Sequence, residues 1–564
     1  MSFRVAVWGL AAVLAAGAPV WAQGTSSQDK GAIAPATQDK SGSKDKPVPA
    51  NTPGVTPPQL EQGQTSIQVE HRLTQKEKDD LLHEIDAIFQ FASKDTGLEI
   101  KHPVKRMFIS RDEVTRFLRK KFDEDKGNRR MERSELVLKK FGLIDRDFKL
   151  RPFLLTLLTE QIAGFYDNKT QTIYLLDWVP IDEQKPVMAH ELTHALQDQH
   201  VGLTKWQNQT EDTVSKDVAD DNKHIRTDET DTAREAVLEG QAMVAFADYV
   251  LEQQTIAEAL KAGKPAPTTF PTLKDVPMMA QLLQSSSSDM SGSPVLARAP
   301  LLLQQALLFP YTAGLGFEDK VLTLAGVGRA FTGVLNSPPN SSAEIMHPEQ
   351  YLAHTPEPVM VLPDIHPLMV TAGYEPYDIG VMGELDVRIT AELFGGKPLA
   401  EALAPAWAGG IYYAAQKKSA TPAEKESTAS LSLLYSSQWK NDDSARGFFQ
   451  VFEEALPRQY DGLKRNKAAE TDESERVYTT REGDILLSLN GSRVWVSEGF
   501  DLELARKLRT MVDGAQGVGP VRVARGSENR DQRLENSGNA PTHDLVGNLS
   551  QWVGGFAVMR ARLP

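Results

Sequence analysis

Cysteine is absent from all 564 residues of this chain. Its absence excludes a cysteine-linked lipid anchor, a disulfide framework, a cysteine nucleophile and every metal site built on thiolates. Histidine is scarce as well, with 11 residues. Any zinc ion must therefore be bound by histidine and carboxylate side chains, and the set of candidate ligands is short.

Positive charge is also in short supply. The chain has 62 Lys and Arg against 76 Asp and Glu, a formal net charge of -14. A nucleic-acid-binding surface needs excess positive charge, so we expect no nucleic-acid partner. The length suits about two or three domains, and 40% hydrophobic residues are ample for well-filled cores.

A long apolar run occurs only near the N-terminus. Arg4 precedes an apolar stretch from Val5 to Val20, and small residues at Val20 and Ala22 suit a signal peptidase. The run is shorter than the ~20 apolar residues that a spanning helix needs. We predict that residues 1–22 are a cleaved signal peptide, and that the mature protein is periplasmic or secreted without a stable membrane span. A membrane anchor is the alternative.

Composition divides the remaining chain into four parts. Residues 23–66 have few large apolar side chains and are predicted to be a disordered linker. The pattern indicates an α+β fold, with a mainly helical core and a small sheet over 67–370 and a C-terminal α+β unit over 371–513. A largely flexible tail is expected over 514–564. Within the core, the acid-rich stretch from about Lys205 to Glu229 is predicted to be a mobile surface excursion.

Local patterns predict several strands. Val104 to Ile109 has strand character, and Gly164 to Tyr166 with Thr172 to Leu176 reads as a hairpin because β-branched and aromatic residues flank turn residues. A second hairpin is predicted from Ile485 to Leu489 and Arg493 to Val496, joined at Asn-Gly. A helix with closely spaced histidines follows the first hairpin.

That helix carries His190-Glu191-Leu192-Thr193-His194. Histidines four residues apart lie about 40° from each other around a helix and about 6 Å along it, so both imidazoles can reach one metal ion. Glu191, between them, is the candidate general base, which would take a proton from a zinc-activated water and later deliver it to the leaving amine.

The apolar residues of this helix support that interpretation. They are Met188, Leu192, Ala195 and Leu196, at helical spacing. This stripe places His190 and His194 towards the other side of the helix, where we expect a cleft. The alternative is a surface helix whose histidines merely face water.

A catalytic zinc site needs a third protein ligand. His200 lies six residues after His194, but the residue midway is Gln197 rather than a glycine that would break the helix. In a continuous helix His200 points roughly 100° away from the other imidazoles and lies about 9 Å beyond the second. We therefore expect His200 to be a polar residue at a helix C-terminus.

Glutamates on the next predicted helix, Asp231 to about Ile256, are better candidates. Glu239 shares a face with Ala236, Met243 and Phe246, where an unpaired carboxylate would be costly. Gly240 beside it would allow close approach of a neighbouring helix. Glu235, one turn earlier, is the alternative ligand or a partner that orients a histidine.

Several segments together resemble a known group. They are Gly164-Phe165-Tyr166-Asp167, Ile173-Tyr174-Leu175, His190 to His200 (HELTHALQDQH), Ala233-Arg234, Glu239-Gly240-Gln241-Ala242, Phe309-Pro310-Tyr311 and Ser342 to Tyr351 with His347-Pro348-Glu349. Through them the chain is similar, over most of residues 70–500, to the zincin metallopeptidases of the gluzincin branch and to a poorly characterised family of exported bacterial zinc peptidases. The chain departs from that family near Trp407 to Ile411, which is apolar where the family has an acidic residue.

The resemblance implies a zincin-like peptidase domain at 67–370 that binds one Zn²⁺ per chain through His190, His194 and Glu239. It favours Glu239 over Glu235, and it implies that Thr172 to Leu176 is the edge strand along which a peptide substrate would lie. Stabilising the oxyanion of the tetrahedral intermediate calls for a further donor, for which Tyr311 and His347 are the candidates. The alternative is that they are a buried tyrosine and a core histidine with satisfied hydrogen bonds.

The sequence thus predicts a zinc-dependent metallopeptidase acting on peptides or proteins, with Glu191 as base and then acid. Two rival hypotheses stay open. One is a non-catalytic scaffold or binding protein of the cell envelope on the same fold. The other is a zinc hydrolase of non-peptide amides or esters. Substrate identity, endo- or exopeptidase action, oligomeric state, any activation step and the role of the C-terminal unit are not predicted.

Overall fold

A computed structural model describes residues 72–124, 127–161, 164–207, 215, 217–276, 280, 294–516 and 521–522. The predicted signal peptide at 1–22 and the predicted linker at 23–66 lie outside these residues, as does most of the predicted tail at 514–564. The described chain mixes helix and sheet, as expected for an α+β protein.

The first part of the chain is mainly helical. Its helices are α1 (Gln75–Thr96), α2 (Arg111–Glu124), α3 (Gly127–Lys140), α4 (Leu150–Gln161), α5 (Ile181–Val201), α6 (Leu203–Gln207), α7 (Val218–Thr227) and α8 (Thr230–Lys261). Its strands are β1 (Lys105–Ile109), β2 (Phe165–Asp167) and β3 (Thr172–Leu176). The predicted strand at Val104 to Ile109 and the predicted hairpin ending at Leu176 are thereby confirmed.

The three strands form one small sheet in the order β1-β3-β2. Strand β3 pairs in parallel with β1 on one side and antiparallel with β2 on the other. Thr172–Leu176 is therefore the central strand, and the expectation that it is an edge strand is wrong. The sequence shows the β2–β3 hairpin, but β1 precedes β3 by more than sixty residues, so its pairing is decided by the tertiary fold.

Helix α1 shows how the sequence builds the layer behind the histidine helix. Thr74 caps its N-terminus in a reciprocal capping box with Glu77, and Gly97 ends it with φ of 71°, a left-handed conformation that favours glycine. Leu81, Ile85 and other apolar residues at helical spacing are buried. This face packs against α5 and α8.

A second group of elements follows α8. They are the single turns Leu273–Asp275 and Leu296–Arg298, helix α9 (Leu301–Ala325), a π-helical turn Arg329–Gly333, and helices α10 (Val334–Asn336), α11 (Ser342–Met346), α12 (Pro348–Leu352) and α13 (His366–Thr371), with strand β4 (Pro358–Val359). Helix α9 packs along α8 over a long stretch.

The C-terminal part is built on a seven-stranded sheet in the order β5-β6-β7-β11-β10-β9-β8, with every neighbouring pair antiparallel. Its strands are β5 (Tyr374–Val381), β6 (Trp407–Lys417), β7 (Leu431–Trp439), β8 (Lys464–Arg465), β9 (Glu475–Thr480), β10 (Gly483–Asn490) and β11 (Arg493–Glu498). Its helices are α14 (Glu384–Gly395), α15 (Lys397–Leu403), α16 (Pro422–Lys425), α17 (Asp442–Gln459) and α18 (Leu502–Ala515), with short turns at Ala404–Ala406, Thr428–Ser430 and Lys467–Ala469.

Two features of this part bear on the sequence predictions. The strand pairing of the hairpin predicted near Asn490 is confirmed, but the turn lies one residue later than predicted, because Asn490 pairs with Arg493 and Gly491 and Ser492 form the turn. Helix α18 continues to Ala515, and strand β12 (Val521–Arg522) pairs with β4. The beginning of the predicted flexible tail at 514–564 is therefore structured.

The acid-rich stretch from Lys205 to Glu229 is not a surface excursion where the structure describes it. It contains α7, in which Asp221 and His224 are buried. Asn222 exchanges two hydrogen bonds with the backbone of Leu362, and the His224 ring lies 3.0 Å from the carbonyl oxygen of Ile379 in β5. Acidic composition suggested solvent exposure, but backbone groups distant in sequence bind the side chains of Asn222 and His224.

Within the described ranges, every helix is either too short or too polar to cross a membrane.

Candidate metal centre

The histidine helix α5 lies inside the protein. His190 and His194 are 5% and 2% exposed, and Glu191 is 1% exposed. The predicted apolar stripe is buried too, because α5 packs against α1 and α8 and beneath the small sheet. The alternative in which the two histidines face water is therefore wrong.

Three side chains meet at one point between α5 and α8. His190 Nε2 and His194 Nε2 are 3.2 Å apart, and Glu239 Oε2 lies 3.0 Å from the former and 3.7 Å from the latter. The donor atoms of the three residues all lie within 4.8 Å of one another. This buried group can hold a metal ion.

The other two candidate ligands have different partners. Glu235 is buried one turn before Glu239, and its carboxylate accepts a hydrogen bond of 3.3 Å from Gln207. Helix α5 continues through Gln197, and the His200 ring contacts Asn336 at 3.2 Å near the end of the helix. The structure thus brings Glu239, rather than Glu235 or His200, to the two imidazoles.

Electrostatics ties the three residues together. Burial by itself would raise the pKa of Glu239, but the charge of His194 and the close contact with His190 at 3.0 Å outweigh it and hold that pKa well below its usual range. Burial would lower the pKa of His194, but the Glu239 carboxylate outweighs it and raises the pKa. Among the described residues, the two imidazoles are the only basic side chains with a nitrogen within 4 Å of the Glu239 carboxylate.

A close crossing of α8 and α9 positions Glu239. A Cβ atom on Gly240 would overlap the carbonyl oxygen of Gly314, and one on Gly314 would overlap the carbonyl oxygen of Ala236. The two backbones can touch only because both crossing residues lack a side chain. The prediction that Gly240 permits a close helix approach is confirmed, and α9 is the partner helix.

Glu191 is held by the edge strand β2. The backbone amide of Tyr166 donates a hydrogen bond of 3.0 Å to Glu191 Oε2, and the Tyr166 hydroxyl donates one of 3.0 Å to Asp198, two turns further along α5. Burial and the Asp198 carboxylate raise the pKa of Tyr166, so its hydroxyl stays protonated as a donor. Tyr166 therefore connects β2 to α5 at two positions, Glu191 and Asp198, which lie two turns apart along the helix.

The two candidate transition-state donors have different surroundings. The Tyr311 ring on α9 stacks near His190, with ring centroids 6.3 Å apart. His347 Nε2 instead lies 2.8 Å from Glu384, whose hydrogen bond raises the pKa of His347. Only Tyr311 is thereby brought next to a residue of the metal centre.

Two buried glutamines behind His194 were missed in the sequence. Gln197 Oε1 lies 2.8 Å from His194 Nδ1, and Gln197 in turn contacts Gln241 of α8. Gln197 follows His194 by three residues, a spacing that places both side chains on one side of a helix and was the available signal. Gln241 lies two residues after Glu239, on a different side of α8, so spacing gave no signal for it.

Comparison with known proteins finds no matching family model, no matching curated protein and no matching solved structure. The resemblance to exported zinc peptidases therefore stays a prediction from the sequence.

Proposed function

We propose that this protein is a zinc-dependent metallopeptidase. The observation that carries the proposal is the convergence of His190, His194 and Glu239 from two crossing helices, with Glu191 on the same helix as the histidines. Two imidazoles and one carboxylate are a ligand set typical of catalytic zinc, which keeps a fourth position open for water or substrate.

The spacing of the donor atoms suits such an ion. Ligands about 2.0–2.1 Å from a tetrahedral zinc ion lie about 3.3 Å from one another. The observed separations of 3.2, 3.0 and 3.7 Å lie around that value. A bound cation would also compensate for the burial of the Glu239 carboxylate, whose only basic neighbours within 4 Å among the described residues are the two imidazoles.

A zinc ion in this position supplies a Lewis acid that activates water and polarises the scissile carbonyl. In the proposed reaction Glu191 takes a proton from the attacking water and then transfers it to the leaving amine. The Tyr166 amide orients the Glu191 carboxylate for both steps. Tyr311, next to His190, is the proposed donor to the oxyanion of the tetrahedral intermediate, since the imidazole of His347 is paired with Glu384 instead.

We further propose that the substrates are peptides or proteins encountered outside the cytoplasm. This part of the proposal is supported by the signal-peptide pattern over residues 1–22 and by the resemblance in sequence to exported zinc peptidases.

Cleavage of casein and of a peptide library by the purified, zinc-loaded protein tests the proposal. Glu191→Gln should lower the rate by about 10²- to 10⁴-fold, because it removes the general base, while zinc content stays at the wild-type value. Asp182→Asn is the matched control, since Asp182 lies on the same helix with its side chain 95% exposed. It should cleave like wild type.

Three other outcomes separate the rival hypotheses. Equal cleavage by wild type and Glu191→Gln would sink the catalytic role of Glu191. Zinc binding without hydrolysis of any substrate indicates a scaffold or binding protein. Hydrolysis of model esters or non-peptide amides, with peptides left intact, indicates a hydrolase of another substrate class.

A further inference from the structure

The side-chain amides of Gln197 and Gln241 form a series of buried hydrogen bonds behind His194. Gln241 Nε2 donates hydrogen bonds of 2.9 and 3.2 Å to the carbonyl oxygens of Ala330 and Phe331. Gln197 Nε2 donates one of 2.9 Å to Gln241 Oε1, and Gln197 Oε1 lies 2.8 Å from His194 Nδ1. Both glutamine side chains are completely buried, so no solvent competes for these bonds.

The carbonyl oxygens of Ala330 and Phe331 determine the direction of every hydrogen bond in this series. Backbone carbonyls accept hydrogen bonds but cannot donate them, so the Gln241 group facing Ala330 and Phe331 must be its NH₂ group. Gln241 Oε1 then faces Gln197, which must present its own NH₂ group. Gln197 Nε2 also donates a 3.1 Å bond to the carbonyl oxygen of Leu238, which supports the same orientation.

The remaining atom of Gln197 is an acceptor, and it faces His194 Nδ1. A neutral imidazole carries its proton on one nitrogen, and an acceptor selects the tautomer with that proton on Nδ1. His194 Nε2, which lies beside His190 and Glu239, is then free of hydrogen and has a lone pair for a metal.

We propose that Gln197 and Gln241 are positioning residues that hold His194 in the ligand-competent tautomer. The proposal deepens the proposed function and rests on it, because the tautomer matters only if His194 binds a metal. This hydrogen-bond network connects three separate segments: α5 supplies Gln197, α8 supplies Gln241, and the π-helical turn Arg329–Gly333 supplies the two carbonyls.

Another glutamine of α5 provides a matched control. Gln184 is 2% exposed, donates to the carbonyl oxygens of Leu176 and Val179, and accepts from the amide of Leu176. Gln184 is a glutamine on the same helix as Gln197 and is similarly buried. Its partners, however, lie in β3 and in the segment between β3 and α5, and none of them is a histidine.

The tautomer can be measured without metal. In protein labelled with ¹⁵N-histidine, long-range ¹H–¹⁵N spectra at pH 8.5 distinguish the two neutral forms, and the signals of His194 are assigned by their loss in His194→Asn. We expect Nδ1 protonated in wild type and in Gln184→Met. In Gln197→Met, which has similar volume but no acceptor, we expect a mixture of both tautomers.

Zinc affinity, measured by competition with a chromophoric chelator, gives the functional readout. Gln197→Met should bind zinc about 10- to 100-fold more weakly, and Gln241→Met should weaken binding in the same direction. Gln197→Glu keeps an acceptor for Nδ1 and should retain affinity within a few-fold of wild type, although it loses the donors to Leu238 and Gln241. Gln184→Met should be less stable and bind zinc like wild type.

Two results would overturn the proposal. One is a folded Gln197→Met protein with the wild-type tautomer and wild-type zinc affinity. The other is an equal loss of affinity in Gln184→Met, which would show that the effect is general destabilisation. If the wild type binds no metal, the proposed function fails, while the tautomer comparison in metal-free protein still decides the role of Gln197.

Discussion

Two buried glutamates one turn apart on α8 differ in what surrounds them. Glu235 accepts a hydrogen bond from a neutral amide, Gln207, whereas Glu239 is beside two imidazoles. A buried carboxylate is stable only when hydrogen bonds or opposite charge compensate for its lost hydration. Glu235 obtains part of this compensation from Gln207, and Glu239 obtains it from the histidines and, in the proposed function, from zinc.

Alanine variants of the three candidate third ligands should therefore behave differently. Glu239→Ala should lower zinc affinity by more than the roughly 10- to 100-fold that is typical when a residue behind a ligand is lost. Glu235→Ala and His200→Ala should keep zinc near the wild-type value. Affinities from chelator competition, with metal content by mass spectrometry of purified protein, provide the measurement.

Glu235→Ala also serves as the control for stability. Removing its carboxylate leaves the buried Gln207 without that partner, which should cost about 1–3 kcal/mol in the free energy of unfolding. Zinc loss in Glu235→Ala, together with full zinc binding in Glu239→Ala, would reverse the ligand assignment.

At the next level, helices α8 and α9 place the third ligand. Their crossing point is occupied by Gly240 and Gly314, whose neighbours in sequence include Glu239 and, one turn away, Tyr311. The closeness of the two backbones therefore brings a ligand and the proposed oxyanion donor to the same region as His190.

Gly314→Ala should destabilise the protein. An alanine normally favours a helix over glycine by about 1 kcal/mol, but here its Cβ atom would overlap the carbonyl oxygen of Ala236, and backbone cannot move aside as a flexible side chain can. We expect a net loss of about 1–3 kcal/mol, measured by urea unfolding, and weaker zinc binding because Glu239 is displaced.

Gly514→Ala is the matched control for this substitution. Gly514 is exposed in α18, and a Cβ atom there would contact nothing within 4 Å. Its replacement should leave stability unchanged or raise it by up to about 1 kcal/mol. A Gly314→Ala protein as stable as wild type would contradict the close crossing of α8 and α9.

In the molecule as a whole, later parts of the chain hold the beginning of the ligand helix. Asp228 accepts a hydrogen bond of 2.6 Å from the amide of Val381 in β5, and Glu229 accepts one of 3.2 Å from the amide of Ser342. These two acids immediately precede α8. The C-terminal sheet and the segment before it thus support the helix that carries Glu239.

The Glu229 contact makes stability depend on pH. Burial raises the pKa of Glu229 from 4.5 to about 7, and nearby Glu384 adds to the rise, while hydrogen bonds from Ser342 oppose it. Because the folded pKa lies above the unfolded one, the contribution of Glu229 is complete below pH 4.5. It is lost as the pH rises towards 7, by at most about 1.4 kcal/mol per pH unit.

Glu229→Gln removes this titration and keeps an acceptor for Ser342. The stability of wild type relative to this variant should therefore fall between pH 5 and pH 7, as measured by urea unfolding at several pH values. Glu454→Gln, at an exposed position of α17, should follow the wild-type profile. Parallel profiles for wild type and Glu229→Gln would contradict the prediction.

The sequence alone determined those features that depend on local spacing. The spacing of four positions from His190 to His194 places both imidazoles on one side of any helix, and alternating β-branched and aromatic residues around a turn predict the β2–β3 hairpin. A glutamate in the apolar stripe of the next helix made Glu239 the favoured ligand, and the glycine beside it indicated a close approach. Each of these inferences uses residues a few positions apart.

Only the tertiary structure decided how distant segments meet. It made β3 a central strand, gave Asn222 and His224 of α7 partners on distant backbone, brought Tyr311 to His190, and aligned Gln197 with Gln241 behind His194. The physical reason is the same in each case. A hydrogen bond or a ring contact depends on distances in space, and residues far apart in sequence acquire those distances only when the chain packs.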